Sequence, residues 1–283
     1  MRFVISSLLP LLALAQSTQN FVYDSDGRRV PLPSFQEQRQ AKVLAEGPDG
    51  KVVEEIVQRR DAQGNALPPQ RIRVVERSGP NGEKIEERLT YEADLNGRMS
   101  LQEKTTVTTS EGDGRTNTST SVEKPSVNGG LQLFERVTAQ KYIENGKELT
   151  NRAIYRADST GQLAENSRER IERVTENGVP KETVSVYESV STGQPILSQQ
   201  KTTVALTNPD GSTTSLITIY GVDAPGRPAG GPLKIKEQQI LTKRSGDGNT
   251  IVESLSIRRP DLADGKLGKE IKVGERVTKP PQP

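Results

Sequence analysis

The sequence predicts an all-β fold: an antiparallel meander of about 14 long strands, built from about seven β-hairpin repeats of about 32 residues. The sheet is expected to be curled or partly single-layered. Three observations carry this. Turn glycines recur at a fixed interval, the segments between them alternate with a period of two, and the chain is too poor in apolar residues for a thick core. Apolar residues make up 31% of the 283 residues, against roughly 45–50% (Gly included) in ordinary globular domains. Trp, Cys and His are absent.

Two glycine series set the frame. Gly50, Gly82, Gly114, Gly146, Gly178 and Gly211 form the first, and Gly64, Gly97, Gly129, Gly161, Gly193 and Gly226 the second. Both advance by about 32 residues per step and slip together by one position at their last member. Every member of the first series follows Asn or Asp, the pairing that a type I′ hairpin turn favours because both central residues need φ > 0. Each series therefore marks one end of the hairpins. The repetition extends to side chains: YEADLNGR at Tyr91 and YRADSTGQ at Tyr155 lie two repeats apart.

Between turns the segments read as strands rather than helices. KIEERLTYEA places Ile85, Leu89, Tyr91 and Ala93 on one face and Lys84, Glu86, Arg88 and Thr90 on the other. RMSLQEKTTVTT is expected to set Met99, Leu101 and Val107 against Arg98, Gln102 and Lys104. Columns one repeat apart show which positions can be dry. Thr90, Val122, Ile154, Val186 and Ile219 form a β-branched column, and Met99, Leu131 and Leu163 an apolar one. Glu87, Ser119, Asn151 and Thr183 form a polar column, as do Glu103, Glu135, Ser167 and Gln199. These must be wet or paired across strands, because an unpartnered buried carboxylate is too costly.

Residues 1–15, MRFVISSLLPLLALA, have one basic residue, an apolar run and Ala13 and Ala15 before Gln16. They are expected to be a secretory signal peptide, giving an exported protein: periplasmic, on the cell surface or extracellular. The run is too short to span a bilayer. Removing it leaves 38 basic and 37 acidic residues, a balance that offers nothing to nucleic acid. Without Cys the exported chain has no disulfide framework, so backbone bonding and packing must hold it. Residues 16–46 form an N-terminal segment outside the period, with a short hairpin and then a short helix or strand. Residues 47–277 are the repeat domain, and 278–283, ending in Pro-Pro-Gln-Pro, a disordered tail.

The absence of His and Cys excludes Ser-His-Asp and Cys-His nucleophiles and zinc sites built on imidazole or thiolate. Ser121-Val-Glu-Lys124 and Ser198-Gln-Gln-Lys201 fit a Ser-x-x-Lys pattern, but on a strand the two side chains point to opposite faces. Asp24 and Asp26 beside Gly27 have a Ca²⁺-loop spacing, although a plain turn is favoured. Neither a metal nor a cofactor is expected. Tyr91, Tyr155, Tyr187 and Tyr220 each precede a second-series glycine by six residues, and Glu123 holds that place in the unit between. They are read as packing residues at the sheet edge, and as the candidate ligand-stacking residues if the sheet binds sugar rings.

The stretch YDSDGRRV from Tyr23 resembles the Tyr-Asp-x-x-Gly-Arg core of YD repeats, the units of RHS-type secreted bacterial shells, and YEADLNGRM is a looser relative. The resemblance implies hairpins coiled into a shell or strip without catalytic residues of their own. From Tyr91 onward the Tyr-to-Gly interval is two residues longer, the Asp next to Tyr is missing and the period exceeds the family's.

The function expected is therefore that of a secreted, non-enzymatic binding or structural scaffold at the cell envelope or outside the cell, with an unknown protein or glycan partner. It would be a monomer or an edge-to-edge oligomer. The alternative from another class is a carbohydrate-active hydrolase working through two carboxylates. An outer-membrane β-barrel is a further candidate, opposed by charges on both faces of the strands.

Overall fold

The computed structural model describes residues 17–23, 28–31, 36–48, 50–61, 65–94, 96–158, 160–189, 195–222, 232–247, 250–261 and 264–279. The predicted signal peptide, Asp24, Asp26, Gly27 and the final four residues lie outside them. The described residues contain no α-helix. Three strands open the chain, β1 (Ser17–Tyr23), β2 (Arg29–Pro31) and β3 (Gln36–Gly47). β4 (Gly50–Arg60), β5 (Gln70–Ser78), β6 (Lys84–Ala93), β7 (Met99–Gly112) and β8 (Arg115–Pro125) follow. Next come β9 (Leu131–Glu144), β10 (Lys147–Ala157), β11 (Leu163–Glu176), β12 (Val179–Glu188) and β13 (Ile196–Thr207). β14 (Thr213–Gly221), β15 (Lys234–Ser245), β16 (Ile251–Arg258) and β17 (Ile271–Lys279) complete the chain.

All 17 strands belong to one sheet. From β3 to β17 each strand pairs antiparallel with the next, so the repeat region supplies the expected meander, β4 to β17. The N-terminal segment is not separate from it. β1 pairs antiparallel with β17 and with β2, and the segment after β2 is the strand β3 rather than a helix. β17 runs beyond the expected boundary, since Thr278 and Lys279 pair with Thr18 and Ser17.

No pairing among the described residues joins β2 to β3, so the sheet is not closed into a barrel. It is nevertheless rolled. A flat sheet of this width would separate its edge strands by about 77 Å, yet Pro31 and Gln36 are five residues apart and at most about 18 Å from each other. Strand direction explains the unpaired seam. Counting antiparallel steps, β2 runs the same way as β3, and a parallel pair needs a crossover of a dozen or more residues. A four-residue connection cannot supply one.

One device repeats in the hairpins. β6–β7, β8–β9, β10–β11, β12–β13 and β14–β15 each carry a bulge, at Thr90/Tyr91, Val122/Glu123, Ile154/Tyr155, Val186/Tyr187 and Ile219/Tyr220. Gln102, Phe134, Asn166, Ser198 and Lys236 are the residues left over on the second strands. A bulge increases local twist and bends its strand, so bulges at a common height help to curl the sheet. Directly across successive strands, Asn117 meets Gln140, then Asn151, then Arg170, then Ser185. Asn151 follows Asn117 by one repeat plus two positions, so each unit is staggered by two residues against the last. Rolled sheets need such a shear.

The bulges correct two expectations. Met99 and Leu101 share a face with Ala93 and Tyr91, but beyond the bulge Val107 pairs with Glu86 and so lies on the other face. The β-branched column does not form a separate dry strip either. Thr90, Val122, Ile154 and Val186 stand opposite Glu103, Glu135, Ser167 and Gln199 on one face. The carboxylates there are paired across strands, Glu103 with Lys124 at 3.9 Å and Glu135 with Arg156 at 3.0 Å. Val57, Ile72 and Leu149 are the buried apolar residues among those described, consistent with a single layer wet on both sides.

Two kinds of turn close the hairpins. Asp113-Gly114, Asn145-Gly146 and Asn177-Gly178 have φ > 0 at both residues, as type I′ requires. At Gly82, Gly97, Gly129, Gly161 and Gly211 the glycine alone has φ > 0 among the described residues of the loop, so these loops turn before a left-handed glycine. The recurring Asp of the Tyr91 and Tyr155 motifs wraps its turn: Asp94 accepts from the amides of Asn96 and Arg98, both at 2.9 Å, and Asp158 from those of Thr160 and Gln162 at 2.8 and 3.0 Å.

The chain ends are clasped by side chains as well as by the β1–β17 ladder. Glu275, 11% exposed, pairs with Arg29 and with Lys272 at 3.0 Å and accepts from the Tyr23 hydroxyl at 3.4 Å. Burial is the largest single influence on Glu275 and opposes its charge, but Lys272, Arg29 and Tyr23 together outweigh it and hold its pKa below the ordinary value. A depressed carboxyl pKa contributes stability above the unfolded-state value that disappears as pH falls through the folded one. Glu275→Gln is expected to cost ~1–2 kcal/mol near neutrality, at the low end for such a cluster because the cations are half-exposed. Urea titrations of both proteins should show the gap narrowing below about pH 4; a gap independent of pH would refute the clasp's ionic character.

Candidate functional site

Pairing registers assign every side chain to one of two faces, and the tyrosine face holds the most distinctive surface. Between β7 and β13 one row across it reads Asn117, Gln140, Asn151, Arg170, Ser185 and Gln200. The next reads Thr108, Ser119, Thr138, Ala153, Arg168 and Tyr187. A third runs Thr106, Ser121, Arg136 and Tyr155. The first two rows, from Asn117 and Thr108 to Asn151 and Arg168, line a shallow groove over β7 to β11 with a cavity volume of about 470 Å³, and the third row and Arg170 lie beside it.

Its lining is hydroxyl, amide and guanidinium, and its amides are held in place. Gln140 donates to Asn117 at 3.0 Å and accepts from Arg115 at 3.4 Å; Asn151 donates to the Tyr142 hydroxyl at 3.4 Å; Gln200 donates to Ser185 at 3.2 Å. In the bordering rows the carboxylates are taken. Glu87 pairs with Arg77 at 2.8 Å, Glu123 with Lys104 at 3.6 Å, Glu165 with Arg168 at 2.6 Å and Glu172 with Lys147 at 2.7 Å. The Lys147 hydrogen bond, reinforced by its charge, holds the Glu172 carboxyl below its ordinary pKa. Arg136 and Arg170 are exposed and enter no salt bridge among the described residues.

The four candidate stacking tyrosines share this face, each directly after a bulge. Tyr91 stands opposite Leu101, Tyr187 opposite Leu197, Tyr220 opposite Ile235 and Tyr155 opposite Glu165. Because of the stagger, Tyr155 and Tyr187 are about 12 Å apart on a diagonal rather than side by side. Tyr91 is further engaged by Arg71, 4.7 Å from its ring centre. All four are half-buried. Tyr155 and Tyr187 border the groove; Tyr91 and Tyr220 lie to either side. Sequence columns drawn at the repeat length bring out Ser119 and Asn151 but miss Arg136, Gln140, Arg168 and Arg170. Columns 34 residues apart on β8, β10 and β12 and 30 apart on β7, β9 and β11 find the rows.

The other face carries a groove of about 460 Å³ near the first-series turns. There Arg173 is clamped between Glu148 at 2.8 Å and Glu182 at 2.7 Å, and Lys141 adds to Glu148 at 2.6 Å. Its charges satisfy one another. Glu148 is held below its ordinary pKa, by hydrogen bonds from Lys141 and then Arg173.

Among the described residues no group of three or more Asp or Glu is placed to hold a metal ion. Ser121 and Lys124 point to opposite faces, and Ser198 is a bulge residue donating to the Val186 carbonyl at 3.3 Å. No described helix is long and apolar enough to cross a membrane. No protein-family model matches this chain, and no curated protein matches it.

Proposed function

We propose that the protein is an exported, non-catalytic binding scaffold of the cell envelope or extracellular space, whose tyrosine face receives an extended partner. One observation carries the reading: a broad polar surface whose rows cross successive strands, with its amides pre-ordered and with Arg136 and Arg170 outside the salt bridges among the described residues. The resemblance of Tyr23–Val30 to YD repeats supports the scaffold half of the proposal.

The hydrolase alternative needs a carboxyl held neutral near pH 7 to act as acid. Every described carboxyl whose pKa is displaced is displaced downward, among them Glu148, Glu172, Glu237 and Glu275. A membrane barrel needs an uncharged belt on one face. Arg152 and Glu169, paired at 2.7 Å, sit mid-strand on one face, and Arg168 and Arg170 on the other.

The test is retention. The chain from Gln16 onward should co-sediment with isolated envelope material at physiological salt and release no soluble sugar from it. Full recovery in the supernatant would overturn the scaffold reading, and release of reducing ends would favour the hydrolase.

A further inference from the structure

Resting on that reading, we infer that the groove over β7 to β11 is a binding site for an acidic polysaccharide, a polyhydroxylated chain carrying sparse carboxylates. Three features of the tyrosine face select this chemistry. The rows through Asn117 and Ser119 present hydroxyls and primary amides, which donate and accept alike and so match sugar hydroxyls without favouring one orientation. Tyr155 and Tyr187 at the border offer half-buried rings to sugar faces.

The third feature is charge. With Glu87, Glu123, Glu165 and Glu172 in salt bridges of their own, Arg136 and Arg170 make none among the described residues, Arg170 feeling only a longer-range attraction to Glu172, and an incoming carboxylate can meet each guanidinium bidentately. Arg136 lies across from Tyr155, and Arg170 from Asn151. Two strand spacings and four residues of rise therefore separate them, about 16 Å. Anionic groups on a bound chain must be spaced accordingly, with neutral hydroxyls lying over the intervening amide and hydroxyl side chains. A polyanion of denser charge, such as a nucleic acid, finds few cations to meet here: besides these two, Arg115 is already engaged by Gln140 and the Tyr142 ring.

Affinity electrophoresis of the chain from Gln16 onward, through gels containing pectin methyl-esterified on about three sugars in four, which spaces its carboxylates near the arginine separation, tests the site. The protein should be retarded by this polymer, and at least ten-fold less by the fully methyl-esterified polymer or by neutral dextran. Arg136→Ala with Arg170→Ala should weaken retardation at least ten-fold, whereas Arg88→Ala, which removes a cation from the opposite face, should leave it unchanged; far-UV circular dichroism checks that each variant folds. Equal retardation by the fully esterified polymer, an equal loss in Arg88→Ala, or equal binding to poly-glutamate would overturn the assignment. Absence of retardation while envelope retention persists would overturn this inference alone, and absence of both would overturn the scaffold as well.

Discussion

A chain ending at Gly268, and so lacking β17, is expected to lose hydrogen-exchange protection in β1, β2 and β16 by a hundred-fold or more, equivalent to roughly 3 kcal/mol of local opening free energy. β17 gives β1 six paired residues and β16 seven. Without it β1 retains only the three-residue β2, and an isolated two-stranded ribbon is marginal in water. The Glu275 clasp goes with the strand. β8 to β12 should keep protection within about three-fold, because in a sequential sheet each unit leans mainly on its neighbours. Exchange mapped by mass spectrometry decides the matter. Equal loss in every strand would show instead that the rolled sheet unfolds as one body. The newly bared edge of β16 should also promote association, visible as faster sedimentation at higher concentration.

Gly50→Ala is expected to cost about 3–5 kcal/mol, far more than the same change at Gly146. Gly50 has φ 141°, and a Cβ built there would overlap the backbone carbonyl oxygen of Glu76 on the adjoining strand. Backbone in a ladder cannot swing aside as a flexible side chain would, so β4 or β5 must shift. Gly146 has φ 74° with nothing within 4 Å of the added carbon. Only the left-handed conformation is then penalised, by about 1–2 kcal/mol. Urea midpoints of the two variants measure the contrast. Equal shifts would mean that the β4–β5 pairing relaxes at no cost.

The repeat was legible because turn chemistry is local. An Asn or Asp followed by Gly reports a backbone requirement that needs no tertiary context, and φ is positive at all six glycines of the first series. The bulges were not legible. Tyr91, Tyr155, Tyr187 and Tyr220 marked their height, but an extra residue on the facing strand has no side-chain signature: Gln102, Phe134, Asn166, Ser198 and Lys236 share no chemistry. Without them the sequence shows neither the two-residue stagger nor the rows that cross the strands, and only Ser119 and Asn151 of the groove stand out in its columns. β1 was hidden for another reason. Its partner lies at the far end of the chain, and Ser17–Tyr23 has no turn that points toward residues 274–279.

Because the units are alike and the two edge strands are tethered by a short connection, the number of units sets the calibre of the roll. Duplicating or deleting one whole repeat changes the circumference by two strand spacings, about 10 Å, while every hairpin keeps its own register. Tandem duplication can therefore widen or narrow the molecule in uniform increments, and lengthen the rows that cross it, without remaking any turn.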